Sequence, residues 1–161
     1  MEDVMLEAKL HLNALGEERR QFIGESGSGH HVVMDDAQGN SGPKPIELAL
    51  LALGGCTAFD VVSILRKMRQ RVTSYEVDLS AEQRTEPPCV FTRVIIKHRL
   101  HGQIAPQAAQ KAIHLSETKY CSVEAMIGKT AEITNTFEII PENDLAPEDS
   151  NDPSLIAPML S

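Results

Sequence analysis

The chain has 161 residues, 42% of them apolar and 4% aromatic with no Trp; 15 Lys and Arg against 23 Asp and Glu leave a formal charge of −8. A domain of this size and apolar content buries a core without staples, which excludes a wholly disordered chain, a disulfide-dense miniprotein and a long solenoid. The acidity disfavours nucleic acid and anionic membranes as partners, and the scarcity of aromatics disfavours base stacking.

The start, Met1-Glu2-Asp3, lacks the basic segment of a signal peptide. The longest apolar run, Leu48 to Phe59, is shorter than the roughly 20 residues that span a bilayer. Three cysteines, Cys56, Cys89 and Cys121, without an export signal fit a reducing compartment. A cytoplasmic location is therefore expected.

Leu6, Ala8, Leu10, Leu12 and Ala14 alternate with Glu7, Lys9, His11 and Asn13, the period of a half-buried strand. Turns at Gly16 to Arg19 and Ser26 to Gly29 separate it from extended chain at Phe22-Ile23 and from a strand at His30 to Met34, giving a three-strand meander. A polar loop, Asp35 to Lys44, leads to Pro45, which opens a helix expected to reach about Arg69. From Ile46 to Leu65 that helix is apolar on nearly every side, Glu47 and Asp60 excepted, so it reads as a buried central helix. Its last turns carry Arg66, Lys67 and Arg69, which suit the negative end of the helix dipole.

Tyr75 to Glu82 and Val90 to Leu100 read as a hairpin, broken by Glu86-Pro87-Pro88. Pro106 to Lys119 reads as a helix burying Ala108, Ala109, Ala112, Ile113 and Leu115. A short helix after Cys121 ends near Ile127 with Gly128 as its cap, and Ile133, Phe137 and Ile139 belong to a last strand. This order defines an α+β class, with meanders packed on helices. Residues 1–140 form one domain, and residues 141–161, rich in Pro, Asp and Asn, form a tail, disordered or docked through Leu155, Ile156 and Met159.

The chain has no Gly-rich phosphate loop and no Cys-x-x-Cys, His-Glu-x-x-His or Gly-x-Ser-x-Gly motif. His30-His31, and His98 with His101, fall on opposite strand faces, so no metal site is expected from them. Cys56 follows Gly54-Gly55 inside the helix, where each glycine costs about 1 kcal/mol relative to Ala. Close approach of another backbone, or room for a ligand beside the sulfur, would offset that. Cys56 is equally well read as a small apolar core residue. Cys121 precedes the short helix, whose dipole favours a thiolate; Cys89, after Pro87-Pro88, is structural or incidental.

Two thiols can carry a two-step reduction, a thiolate attacking a hydroperoxide and a second thiol closing the disulfide. The attacker needs a cation, for which Arg19, Arg20 and Arg93 are candidates.

Lys44-Pro45-Ile46-Glu47-Leu48 through Gly54-Gly55-Cys56-Thr57-Ala58-Phe59-Asp60-Val61-Val62, together with Lys119-Tyr120-Cys121-Ser122-Val123, resembles the OsmC/Ohr family, specifically its OsmC-like Gly-Gly-Cys subgroup. The resemblance runs from about Ala8 to Ile140. It implies an intertwined homodimer with sheets wrapped around two central helices and active sites at the subunit interface. It further implies thiol-dependent reduction of organic hydroperoxides, with Cys56 as the peroxidatic and Cys121 as the resolving cysteine. The implied partners are a small-molecule hydroperoxide and an external thiol or dithiol reductant, with no cofactor and no metal.

Family members place a Glu directly after the helix-opening Pro, where it holds the catalytic Arg of the N-terminal hairpin. Here that position is Ile46, and Glu47 lies nine residues before Cys56, on the opposite helical face. Glu47 also suits a first-turn acid favoured by the dipole. Asp60, one turn after Cys56, either opposes ionisation or holds an Arg. Arg19 and Arg20 lie in the hairpin region. The departure at Ile46 keeps a second function class open, a dimeric module of the same fold that binds a small hydrophobic or thiol ligand without turnover. A thiol redox sensor is the third reading.

Overall fold

Pro45 sits in the first turn of the central helix, where its missing N–H costs no bond. That helix, α1, spans Pro45–Lys67 and divides the chain into an N-terminal meander and a second α/β layer. The computed structural model describes residues 4–17 and 19–142, the side chain of Arg19 excepted. The expected docking of Leu155, Ile156 and Met159 lies outside the described residues.

The meander comprises β1 (Ala8–Gly16), β2 (Arg19–Ser26) and β3 (His31–Met34), antiparallel in that order. β1 pairs Leu10 with Gly24 and Leu12 with Phe22, but the face expected to be half-buried is exposed in the single chain, because nothing among the described residues packs on it; a bulge between Leu12 and Ala14 then shifts the register. The loop into α1 is tied by the buried Asp35 carboxylate, which accepts from the Asp36 N–H, the Ser41 N–H and the Ser41 hydroxyl.

After α1 the second sheet follows: β4 (Arg71–Gln83), β5 (Phe91–Gln103) and β6 (Glu132–Ile140), with β5 central, antiparallel to β4 and parallel to β6. The parallel pair needs a crossover. It is built from α2 (Pro106–Leu115), one π-helical turn (Ser116–Tyr120) and α3 (Ser122–Ile127). The expected helix to Lys119 therefore stops at Leu115, where the wider turn takes over. Gly128 caps α3, but in a right-handed conformation with φ −61°. The helix expected to reach Arg69 ends at Lys67, and Arg69 turns the chain with φ +57°. Gly102 is the position that demands glycine: its φ is +127°, and a Cβ there would stand 2.1 Å from the Arg71 carbonyl oxygen.

Two apolar clusters sit between α1 and the second sheet. One gathers Val61, Leu65, Leu100, Ile104, Ile113 and the alanines 108, 109 and 112. The small residues let α2 approach α1 closely. The other gathers Leu53, Phe91, Val94, Ile96, Cys121 and Ala131.

The helix that reads as buried all round is buried on one side in the single chain. Leu53, Val61 and Leu65 are inaccessible, whereas Leu51 is 62% and Phe59 80% exposed. By length and composition alone α1 could cross a bilayer. Leu10, Leu12, Leu15, Val32 and Val33 of the meander are also exposed, and the meander makes no extended contact with the helices or the second sheet.

Candidate active site

Gly54 and Gly55 answer the two demands that a glycine pair inside a helix raises. A Cβ on Gly54 would lie 2.6 Å from Leu79 Cδ1, so glycine lets β4 press onto α1; a Cβ on Gly55 would meet nothing within 4 Å. The close neighbour is a side chain, where the sequence suggested a backbone, and the open space at Gly55 lies on the exposed face of Leu51 and Phe59, one turn to either side.

Cys56 and Asp60 are four residues apart on α1 and share a face. Cys121 reaches them from the junction between the π-helical turn and α3. The two sulfurs and a carboxylate oxygen of Asp60 all lie within 4.8 Å of one another. Cys56 is half-buried and Cys121 buried; both are free thiols. Asp60 is held by the Ser116 hydroxyl, which donates to Oδ2 at 3.0 Å, and Ser116 is in turn 3.2 Å from the hydroxyl of the buried Thr57. Asp60 also lines a cavity of about 360 Å³ together with Ile64, Met68, Leu115, Tyr120, Lys67 and Lys111.

Cys121 occupies the N-cap of α3 and its sulfur accepts the Glu124 N–H at 3.4 Å. The dipole expected to favour its thiolate is outweighed. Burial, followed by the hydrogen bond to Cys56, pushes the Cys121 thiol up to about 12. The Cys121 thiol is therefore protonated at neutral pH.

The candidate cations and acids are placed as follows. Arg20 turns to Asp36, its N–H donating to Oδ2 at 2.8 Å with Nε at 3.5 Å from the same oxygen. Arg93 faces Glu82 at 3.8 Å. Glu47 closes the first turn of α1, accepting the Lys44 N–H at 2.8 Å, and that bond holds its carboxyl below the usual range. Among the described residues no Lys or Arg forms an ion pair with Asp60. Cys89 is exposed at its loop.

A buried polar chain adjoins Cys121. The Tyr75 hydroxyl lies 2.6 Å from His98 Nδ1, His98 Nε2 lies 3.0 Å from Asn135 Oδ1, and Asn135 Nδ2 donates to Glu124 Oε1 at 3.1 Å. The direction that satisfies every group has Tyr75 donating to His98 and His98 donating to Asn135. Burial pushes the Tyr75 hydroxyl up and His98 down, and it raises the Glu124 carboxyl. Glu124 Oε2 is buried without a partner.

Sequence reasoning missed Ser116, Glu124, Asn135 and the role of His98. For His98 the signal was present. It continues the alternation Val94, Ile96, Leu100 on the inner face of β5, and an inward histidine needs partners. For Ser116 and Glu124 nothing local distinguishes them from surface helix residues.

Residues 38–136 match the family model described as OsmC-like protein. Protein YhfA of Escherichia coli (strain K12) is 45% identical over 120 residues, 74% of this chain and 90% of that protein. A hypothetical protein from Aquifex aeolicus VF5 has a solved structure similar to this one, with a TM-score of 0.74 and 28% identity over 86% of this chain and all of that one. The organic hydroperoxide resistance protein OhrB of Bacillus subtilis shares the fold with a TM-score of 0.60 at 13% identity, over 82% of this chain and 98% of its own.

Proposed function

The chain belongs to the OsmC-like protein family, and from that premise we propose that it is a thiol-dependent peroxidase reducing organic hydroperoxides. The observation that carries the reading is the approach of the Cys56 and Cys121 sulfurs to within 4.8 Å. A disulfide bond is about 2.05 Å long, so the pair needs to close by less than about 3 Å.

Cys56 is the attacking sulfur, because it is the more accessible thiol and Cys121 is held neutral. The Cys56 thiolate attacks the outer peroxide oxygen; the O–O bond breaks, the alcohol leaves with a proton, and Cys56 becomes a sulfenic acid. Cys121 then attacks that sulfur, water departs, and a disulfide forms. An external thiol or dithiol returns both cysteines to the reduced state. The cavity beside Asp60 suits the alkyl part of the substrate.

The uncovered face of α1 and the uncovered meander support an intertwined homodimer. In that arrangement the N-terminal hairpin of a second copy supplies the cation beside Cys56, with Asp60 placed to hold it. A cytoplasmic location goes with this chemistry, since it needs reduced thiols.

The test is to mix reduced protein with cumene hydroperoxide and follow peroxide loss and free thiols. The expected result is peroxide loss with two thiols consumed per chain in the first turnover, abolished by Cys56→Ser. Undiminished peroxide with all thiols titratable overturns the enzyme. One observation favours a second reading, a non-catalytic ligand-binding module: the Arg20 and Arg93 side chains face Asp36 and Glu82 rather than Asp60. Retention of a small ligand by Cys56→Ser, without turnover in the wild type, would select it.

A further inference from the structure

The same three donors have a chemistry that needs no oxidant. We infer that the reduced protein binds one zinc-class divalent cation through Cys56 Sγ, Cys121 Sγ and the Asp60 carboxylate, leaving a fourth position open. Thiolate and carboxylate oxygen are both established donor types for Zn²⁺, and three protein ligands with one open position is a recurring tetrahedral arrangement.

The geometry is close to what such an ion requires. Bonds of about 2.3 Å to sulfur and about 2.0–2.2 Å to oxygen at tetrahedral angles set the donors about 3.5–3.8 Å apart. Here all three lie within 4.8 Å of one another, so the donors need to draw in by no more than about 1.3 Å. Cys56 and Asp60 come from one helical face at i and i+4, a fixed spacing, and Cys121 closes the triangle from the α3 junction.

The surroundings hold the donors as outer partners hold metal ligands. The Ser116 hydroxyl, fully buried, donates to Asp60 Oδ2 at 3.0 Å and leaves the other carboxylate oxygen free. The Glu124 N–H points at Cys121 Sγ at 3.4 Å and holds that sulfur in place from outside the triangle. The cavity lined by Asp60 gives access for the ion from the carboxylate side.

Binding displaces one proton from each thiol to solvent and forms two metal–sulfur bonds and one metal–oxygen bond, with no change of oxidation state. The ion and a hydroperoxide compete for the same sulfurs, but binding does not depend on turnover.

The test uses Co²⁺ alone as the probe, added anaerobically to the fully reduced chain and read by the near-ultraviolet sulfur-to-cobalt charge-transfer band and the visible bands of tetrahedral Co²⁺. The expected result is saturation at one Co²⁺ per chain, about two protons released, and reversal by Zn²⁺. Cys56→Ser weakens the band, and Asp60→Asn lowers affinity while keeping it. Ser116→Ala lowers affinity about 10–100-fold. Protein oxidised beforehand to the Cys56–Cys121 disulfide binds nothing, and this arm needs no substitution, so folding defects do not obscure it. No charge-transfer band in reduced protein, or a band untouched by Cys56→Ser, by Asp60→Asn and by oxidation, overturns the site. A protein that binds Co²⁺ yet spares peroxide overturns only the peroxidase.

Discussion

Gly54 of α1 and Leu79 of β4 touch so closely that a single methyl group on the glycine would come within 2.6 Å of Leu79 Cδ1. Its neighbour Gly55 faces open space. The two glycines therefore respond oppositely to alanine. In the unassembled chain Gly55→Ala gains about 0.5–1 kcal/mol of stability from helix propensity, a gain that a second copy packed on Leu51 and Phe59 would offset. Gly54→Ala loses about 1 kcal/mol net, because overpacking of about 1–3 kcal/mol exceeds the same gain. Urea denaturation of both variants checks the ordering, and Leu79→Ala in the Gly54→Ala background should relieve the loss.

Thiol reactivity follows burial. At pH 8 a thiol with a pKa of about 12 is ionised in about one molecule in ten thousand. Alkylation of the reduced native protein should label the exposed Cys89 and half-buried Cys56 first and the buried Cys121 last. Peptide mapping after timed quenching reads this directly. Comparable rates at Cys121 and Cys56 would contradict the assignment of Cys121 as the neutral partner.

Glu124 and His98 shape the pH dependence of stability in opposite senses. The fold raises Glu124 above its ordinary 4.5, so its contribution is complete below 4.5 and is lost as pH rises through the raised value. The fold lowers His98 from 6.5, so its contribution is complete above 6.5 and is lost as pH falls through the lowered value. Glu124→Gln keeps an acceptor for Asn135 and removes the ionisable group. It should be about 1 kcal/mol more stable than the parent at pH 8, with the advantage shrinking toward pH 4.5. Thermal melts across that range decide the matter; parallel curves for the two proteins would refute it.

The exposed face of α1 makes a prediction about assembly. Covering a Phe or Leu side chain contributes about 1.5–3 kcal/mol, and a twofold interface counts it twice. Phe59→Glu and Leu51→Glu should each convert a dimer into monomer or soluble aggregate at micromolar concentration by light scattering. A wild-type monomer would refute the intertwined dimer.

The order of elements was legible because the local signals agreed. Alternation marked β1 and β4, β-branched extended chain marked β5, Pro45 and Pro106 opened their helices, and the polar loops fell between. The pairing of Cys56 with Cys121 came from the resemblance, and the structure brings both sulfurs together with Asp60. The π-helical turn was not legible, because its five residues carry the same polar pattern as an ordinary helix end. Yet that turn rotates Ser116 inward, onto Asp60, and sets Cys121 at the cap of α3. The polar chain from Tyr75 to Glu124 depends on β6 lying beside β5 at a register that puts Asn135 opposite Ile96, next to His98. Tertiary pairing of this kind leaves no trace in either strand alone.

That same parallel pairing has a consequence for biosynthesis. Cys121 rides in the connection that carries the polypeptide from β5 to β6, and the π-helical turn and α3 on either side of it pack on α1. A nascent chain leaving the ribosome exposes Cys56 well before its companion has been translated. The couple of sulfurs therefore closes only after the crossover has been made, and a product ending before Cys121 keeps the first sulfur alone.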